Sequence, residues 1–382
     1  MRAMRVLHVS PYFAPAYRYG GPARSILGLC RGLLDQGVGV EVFTTTANGS
    51  EELPMEVVER GSFEGVPVRY FPRSFPRRQF AASSLRAALA EKLRGVDLVH
   101  LHGLWNLPVW TGARECMRAG LPYVVSPRGM LDQGSFSHHR WRKEICFRMW
   151  ERSYLSQSAF LHATSRSEEE SLDRLSLGPS IVRLPNGVDP GTGMTTSRRS
   201  SGDGVVLFLG RLHPTKRIDL LLAAMDRVRS IRPGARLVLA GPPDGLDLER
   251  LLRDASRKEA VQVLGEVTTE KWSLLSSADV LVLCSDSESF GMSVVEALAV
   301  GTPVVATRTC PWEELETERC GYFVEQTPAG IAEGILAVLS DPAGARAMGE
   351  RGRKLVANRY HWTVIGREMA RRYRGILGSN DD

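Results

Sequence analysis

Residues 278–307 read ADVLVLCSDSESFGMSVVEALAVGTPVVAT, and the order of apolar and polar residues in this stretch decides the fold. Val280 to Cys284 is a short apolar run with β-branched residues, the composition of a parallel strand buried on both faces. Ser285 to Ser289 is polar, and Gly291 opens a segment in which Met292, Val295, Leu298 and Ala299 recur at helical spacing. Gly301-Thr302-Pro303 stops that helix, and Pro303 to Ala306 opens the next strand. The unit reads strand, loop, helix, strand. Glu288 falls in the loop, and Glu296 lies about one and a half turns into the helix at roughly 3.6 residues per turn.

A helix N-terminus offers free N–H groups and the positive end of a dipole, which suit a phosphate. Carboxylates beside it repel phosphate but accept hydrogen bonds from hydroxyls. A ligand with phosphate in the middle and polyols at both ends, such as a nucleotide sugar, meets both demands. Two glutamates eight apart also suit a charged loop capping an ordinary helix, so the spacing alone leaves both readings open.

The whole chain repeats this alternation. Its 382 residues, 43% hydrophobic and 24% charged, suit two globular domains of about 150–200 residues each. No apolar run reaches the ~20 residues of a membrane span, and Met1 to Ser10 lacks the apolar core of a secretory signal. Cysteines stand at 30, 116, 146, 284, 310 and 320 with no C-x-x-C pair, which fits reduced, mostly buried thiols in a cytosolic protein rather than disulfides or zinc. The net charge of +6 belongs to the first half: residues 1–190 hold 24 Lys and Arg against 18 Asp and Glu, residues 191–382 hold 25 against 25. Such a balance points to nucleic acid, anionic lipid or an anionic substrate, and the lack of a recognised nucleic-acid module disfavours the first.

In the first half, strands are expected at Arg5–Ser10, Val38–Thr45, Val57–Val58, Val66–Phe71, Asp97–Leu101, Pro122–Ser126, Phe160–Ala163 and Ile181–Leu184, with a helix over Ser25–Gln36. Gly20-Gly21-Pro22 before that helix is a Gly-rich turn of the phosphate-binding type, equally explained by a tight turn, and it is not G-x-G-x-x-G. VHLHGLW puts His100 and His102 on one face; the spacing suits a metal, but no third ligand is apparent, which favours structural histidines. VVSPRGML ends its strand with Arg128. The basic stretches Arg69–Arg94 and His138–Arg152 read either as solvated helix faces or as attachment to anionic lipid headgroups. Asp189 to Gly204, poor in apolar residues and rich in Gly, Ser and Thr, is the linker.

Beyond it, buried strand runs recur at 205–210, 236–241, 280–284 and 303–306. Arg211 and Lys216 bracket a Pro-containing turn in GRLHPTKRIDLL, two loop cations well placed to neutralise a pyrophosphate at a strand end. The fold expected is α/β, two Rossmann-like doubly wound domains: residues 1–189, a linker 190–204, residues 205–360, and a last helix over 361–382.

ESFGMSVVEA followed by GTPVVAT closely resembles the E-x7-E segment of the retaining GT-B glycosyltransferases of family GT4. GRLHPTKR resembles the family's cation motif and LPNGVDP its hinge. The resemblance implies two domains facing a central cleft, with the last helix crossing back to the first domain. It implies Glu288 on the donor sugar hydroxyls, Glu296 on the ribose, and backbone at Ser289, Phe290, Gly291 and Met292 on sugar and phosphate. Arg211 and Lys216 would hold the diphosphate, Leu264 and Val267 the nucleobase, and Gly20 and Gly21 the donor phosphates and acceptor. Where many members carry a histidine near the transferred sugar this chain has Arg128, which can hold a phosphate or an anionic acceptor, so His102 becomes a candidate for part of that role.

The implied reaction moves a sugar from a UDP- or GDP-linked donor to a hydroxyl of a saccharide or lipid-linked acceptor in surface-polysaccharide synthesis. The anomeric configuration is kept, and no metal or cofactor is expected. The protein would be cytoplasmic, or peripheral on the inner face of the plasma membrane at anionic lipid. A GT-B sugar-nucleotide 2-epimerase, which alters its donor with no acceptor present, and a catalytically inactive GT-B scaffold are the competing readings.

Overall fold

The computed structural model describes residues 3–131, 147–189, 204–253, 259–267 and 270–378. The chain forms two compact units, Met1–Gly187 with Trp362–Asp382, and Val188–His361.

The first unit is built on an eight-stranded sheet in the order Ser180–Arg183, Phe160–Ala163, Tyr123–Ser126, Leu98–His102, Arg5–Val9, Gly39–Thr45, Val66–Phe71, Ser62–Phe63. All neighbours are parallel except the last pair. Parallel strands are covered by helices on both faces, so successive residues of one strand enter two different cores. Val6, Val40 and Val42 pack into one cluster, while Leu7, Val9 and Phe43 pack into the other. Each such buried aliphatic side chain contributes about 1.5–3 kcal/mol relative to exposure.

The last helix, Trp362–Ile376, belongs to this unit. It lies against Gly21–Leu34 at a spacing that only glycine allows: a methyl group at Gly366 would sit 2.2 Å from the Gly32 carbonyl oxygen. That close crossing drives Met369, Ala370 and Tyr373 into the core.

The second unit has a six-stranded parallel sheet in the order Val261–Gly265, Arg236–Ala240, Val205–Leu209, Val280–Leu283, Val304–Thr307, Gly321–Val324. Its helix Met292–Val300 is buried from Val294 through Val300, as the apolar composition on all sides requires.

Two expectations need correction. Val57–Val58 is not a strand but part of the short helix Met55–Glu59, since Pro54 pre-sets the chain for a helix start and Glu56 suits the first turn. The helix expected from Ser25 begins at Gly21, with Pro22 in its first turn. Most of the His138–Arg152 stretch and residues 190–203 of the linker lie outside the described residues. All five described cysteines, Cys30, Cys116, Cys284, Cys310 and Cys320, are buried free thiols.

Candidate active site

In the second unit the strand Val280–Leu283 runs into a loop tied down at several points. Asp286 N–H donates to the Thr215 carbonyl at 2.9 Å, and Thr309 Oγ1 donates to the Ser285 carbonyl at 2.7 Å. Arg217, itself in the left-handed region at φ 53°, joins Asp219 to Asp286, at 3.1 Å from the latter. These two acidic partners hold its guanidinium pKa above the ordinary arginine value, the hydrogen bond it donates to Asp219 being the main cause.

This loop carries Glu288, whose Oε1 accepts from Ser285 Oγ at 2.8 Å and forms an ion pair with Lys216. Both side chains are mostly withdrawn from solvent, 14% and 17% exposed. Lys216 ends the turn Pro214–Lys216, which His213 caps through Nδ1 to the Thr215 N–H. Burial of the two partners strengthens their attraction, while desolvation takes much of that gain back.

The start of the helix Met292–Val300 is shaped by a tryptophan. Trp312, fully buried, donates Nε1–H to the Phe290 carbonyl at 2.5 Å. A methyl group at Gly291 would lie 2.9 Å from that nitrogen, and the residue has φ 82°, so only glycine fits the turn. No side chain caps the helix, and the Val294 N–H bonds back to the Gly291 carbonyl at 3.0 Å.

Glu296, 7% exposed, receives a hydrogen bond on Oε1 from Lys271 Nζ at 2.7 Å. Arg211 lies at the end of the Val205–Leu209 strand and bonds Asp244 at 2.6 Å. Its loop is packed against the next strand end so closely that a methyl group at Gly241 would stand 1.9 Å from the Gly210 carbonyl oxygen. Leu264 is 39% exposed on the edge strand, and Val267 packs partly buried against the core. The structure therefore joins Lys216 to Glu288 directly, sets Ser289, Phe290, Gly291 and Met292 on the same turn, and gives Arg211 and Glu296 other partners.

In the first unit Gly20, at φ 79°, opens the helix that Gly21 and Pro22 begin. Arg128, also in the left-handed region at φ 60°, directs its guanidinium to that helix. One nitrogen donates to Ser25 Oγ at 3.1 Å and to Asn186 Oδ1 at 2.8 Å; the other donates to His102 Nδ1 at 3.1 Å. Its Nε is buried with no partner, and no carboxylate bonds the guanidinium among the described residues. The next residue is anchored by the buried Glu168, which accepts from Gly129 N–H and Thr164 N–H at 2.7 Å each.

His102 is one of four buried histidines whose proton positions follow from their partners. Arginine only donates, so His102 Nδ1 is bare, its Nε2 carries the proton, and that N–H points to His8 Nδ1 at 2.9 Å. His8 Nε2–H is then a buried donor without an acceptor. A second row starts from the Leu184 carbonyl, which can only accept, from His162 Nε2 at 2.7 Å. His162 Nδ1 takes the Ser126 hydroxyl proton at 2.5 Å, Ser126 Oγ accepts from His100 Nε2 at 2.8 Å, and His100 Nδ1 accepts from Tyr373 Oη at 2.6 Å.

The third histidine that the sequence did not reveal is His8, which stands in register with His100 on the neighbouring strand. Nitrogens of His8, His100 and His102 lie within 4.8 Å of one another, the spacing of a metal site. Both ring nitrogens of His100 and of His102 are already engaged with protein groups, so the cluster reads as a hydrogen-bonded network.

Two family models match the chain: "Glycosyl transferase 4-like domain" over residues 20–187 and "Glycosyl transferases group 1" over residues 195–355. A D-inositol 3-phosphate glycosyltransferase of Stackebrandtia nassauensis is 30% identical over 337 residues, covering 80% of this chain and 75% of that protein. A GDP-mannose:cellobiosyl-diphosphopolyprenol alpha-mannosyltransferase of Komagataeibacter xylinus is 26% identical, covering 98% of this chain and 94% of that protein. Among solved structures, the Anabaena protein HepE in complex with UDP and glucose superposes with a TM-score of 0.73 at 18% identity, covering 97% of this chain and all of that one. The fold is that of one class of enzyme, the GT-B glycosyltransferases. The chain is a member of the GT4-like glycosyltransferase family.

The buried histidines give the first unit a pH dependence. Burial first, then the Arg128 charge, lowers the pKa of His8 and of His162 to about 3, and burial lowers His100 and His102 well below their ordinary value. The unfolded chain protonates these rings near pH 6.5 while the folded one does not. Stability is therefore fully present above about pH 6.5 and falls as the pH drops from there toward 3. Each histidine kept neutral should remove about 2 kcal/mol between pH 6.5 and 5. Denaturant midpoints measured from pH 8 to 5 should be level at the top and drop steeply below 6.5; a level profile down to pH 5 contradicts the network.

Proposed function

We propose that the protein is a retaining, metal-independent hexosyltransferase that moves a sugar from a UDP- or GDP-linked donor to a lipid-linked saccharide in surface-polysaccharide synthesis. The observation that carries the donor assignment is the Lys216–Glu288 pair beside an uncapped helix start. A diphosphate at that helix end draws Lys216 onto its oxygens, which frees Glu288 to accept from the sugar hydroxyls. Arg211 adds a second cation on the same loop. As the glycosidic bond breaks, negative charge builds on the leaving diphosphate, and these cations and the helix N–H groups stabilise it. The leaving phosphate takes the proton of the attacking hydroxyl on the same face, so no protein nucleophile is needed and the configuration is kept. The main chain at Ser289, Phe290, Gly291 and Met292 holds sugar and phosphate, and Leu264 and Val267 flank the base.

Arg128 supports an anionic acceptor, since it is a cation held only by neutral groups. His102 then acts as the acceptor that orients Arg128, not as a base, because its free lone pair is already engaged. The Komagataeibacter relative, whose name records a diphosphopolyprenol-linked acceptor and GDP-mannose, agrees with this reading.

No helix is long and apolar enough to cross a membrane among the described residues. A surface attachment at anionic lipid is supported by Phe75, 93% exposed, beside Arg77 and Arg78. Of the same basic stretch, Arg73 at 2.8 Å and Arg77 more loosely at 4.0 Å pair with Glu52, and Arg86 and Lys92 pair with Glu115 and Glu41.

Thermal denaturation with a panel of nucleoside diphosphates tests the donor site, because a ligand of the folded state raises the midpoint. UDP or GDP should raise it, EDTA should leave it unchanged, and Lys216→Ala should remove most of the rise; an unchanged rise in that variant discredits the diphosphate assignment. For the membrane, sedimentation with phosphatidylglycerol-rich vesicles should carry the protein down, and Phe75→Ser with Arg77→Glu should cut the bound fraction severalfold. Equal sedimentation of the two proteins removes this surface from the account.

A further inference from the structure

Lys271 occupies a place that disfavours a cation twice. It is the first residue of the helix Lys271–Ser277, where the backbone dipole repels positive charge, and it faces inward, 9% exposed, with Leu275 one turn later. An apolar residue at this position would continue the core pattern set by Leu275. The ammonium group instead bonds Glu296 at 2.7 Å, and its nitrogen lies 4.5 Å from the Trp272 ring centroid. Glu296 is in turn an anomaly, a carboxylate inside a helix whose neighbours Val294, Val295, Ala297 and Leu298 are fully buried. No other donor among the described residues bonds its carboxylate.

Two buried charges on separate helices, each disfavoured alone, are retained as a pair. Packing does not need them, since apolar residues of similar volume fill such positions at no loss and often at a gain. The arrangement does serve recognition: one oxygen is pinned by the lysine, and the other is left with its lone pairs aimed by a rigid helix. It parallels Glu288, where Lys216 takes one oxygen of the other glutamate in the E-x7-E segment.

We propose that Lys271 is a positioning residue for Glu296, fixing one carboxylate oxygen so that the other accepts from the ribose hydroxyls of the nucleoside-diphosphate donor. This rests on the donor site proposed above. Lys271 does not touch the ligand; it sets the rotamer of Glu296 and supplies its countercharge before the ligand arrives. The sugar of the nucleotide is thereby read as ribose, because a 2′-deoxy nucleotide leaves a buried charged acceptor without its donor.

The test is calorimetric binding of whichever of UDP and GDP binds, and of its 2′-deoxy counterpart, to the full chain and to Lys271→Met, Lys271→Gln and Lys271→Arg. The unaltered protein should prefer the ribonucleotide by about tenfold, the worth of a hydrogen bond to a charged group. In Lys271→Met the preference should fall to within about twofold while the deoxynucleotide still binds as before, and Lys271→Arg should restore most of it. Should Lys271→Met fail to fold, Lys271→Gln, which is polar but uncharged and one atom shorter, gives the same reading. A folded variant that retains the full ribose preference, or an unaltered protein that shows none, overturns the proposal while leaving the donor site standing. Binding of neither UDP nor GDP to the unaltered protein overturns the donor site itself, and this inference with it.

Discussion

The ion pair between Lys216 and Glu288 is the contact on which the second unit's site depends. It crosses from the loop after the first strand of its sheet to the loop after the fourth, two strands that lie side by side in the sheet. Parallel topology makes this unavoidable: the carboxyl ends of neighbouring strands open on the same edge, and polar loop residues collect there. Arg217, Asp286 and Thr309 brace the loop around the pair, so Glu288 is presented by a fixed backbone. A pair this far from water is worth little as pure stability, which makes its value one of readiness. Both charges are already desolvated in part before a ligand arrives.

The first unit reaches a comparable end by other means. Arg128 is aimed by neutral acceptors, and the proton positions behind it run in one direction without a break from arginine to His102 to His8. The parallel row from Tyr373 to Leu184 brings the last helix under the sheet, through a hydroxyl rather than a charge. Both rows need uncharged imidazole, and complete burial supplies that condition. The close glycine crossing of Gly32 and Gly366 sets the depth at which Tyr373 sits.

Much of this was legible in the sequence, and the losses have definite causes. The stretch 278–307 announced its strand, loop, helix and strand because apolar runs and glycine stops are local signals, and they fall at Val280–Leu283, Met292–Val300 and Val304–Thr307. Val57–Val58 misled because two β-branched residues in a short window read locally as a strand, while the chain after Pro54 turns into the helix Met55–Glu59. His8 escaped because it becomes a neighbour of His100 only through strand pairing across 92 positions, which no spacing rule reaches. Trp312 and Lys271 were missed for the same reason: their work on Phe290 and Glu296 is tertiary. A lysine one turn before the apolar Leu275 was nonetheless a readable sign, since it interrupts a core-facing row.

The central claim is that a nucleoside diphosphate is held where the 211–217 loop meets the start of the helix Met292–Val300. Hydrogen exchange of the full chain, followed by mass spectrometry with and without saturating UDP or GDP, tests it most directly. The account predicts slowed exchange in peptides spanning residues 211–217 and 286–296. Unchanged exchange in both segments, with protection confined to other parts of the chain, would contradict it.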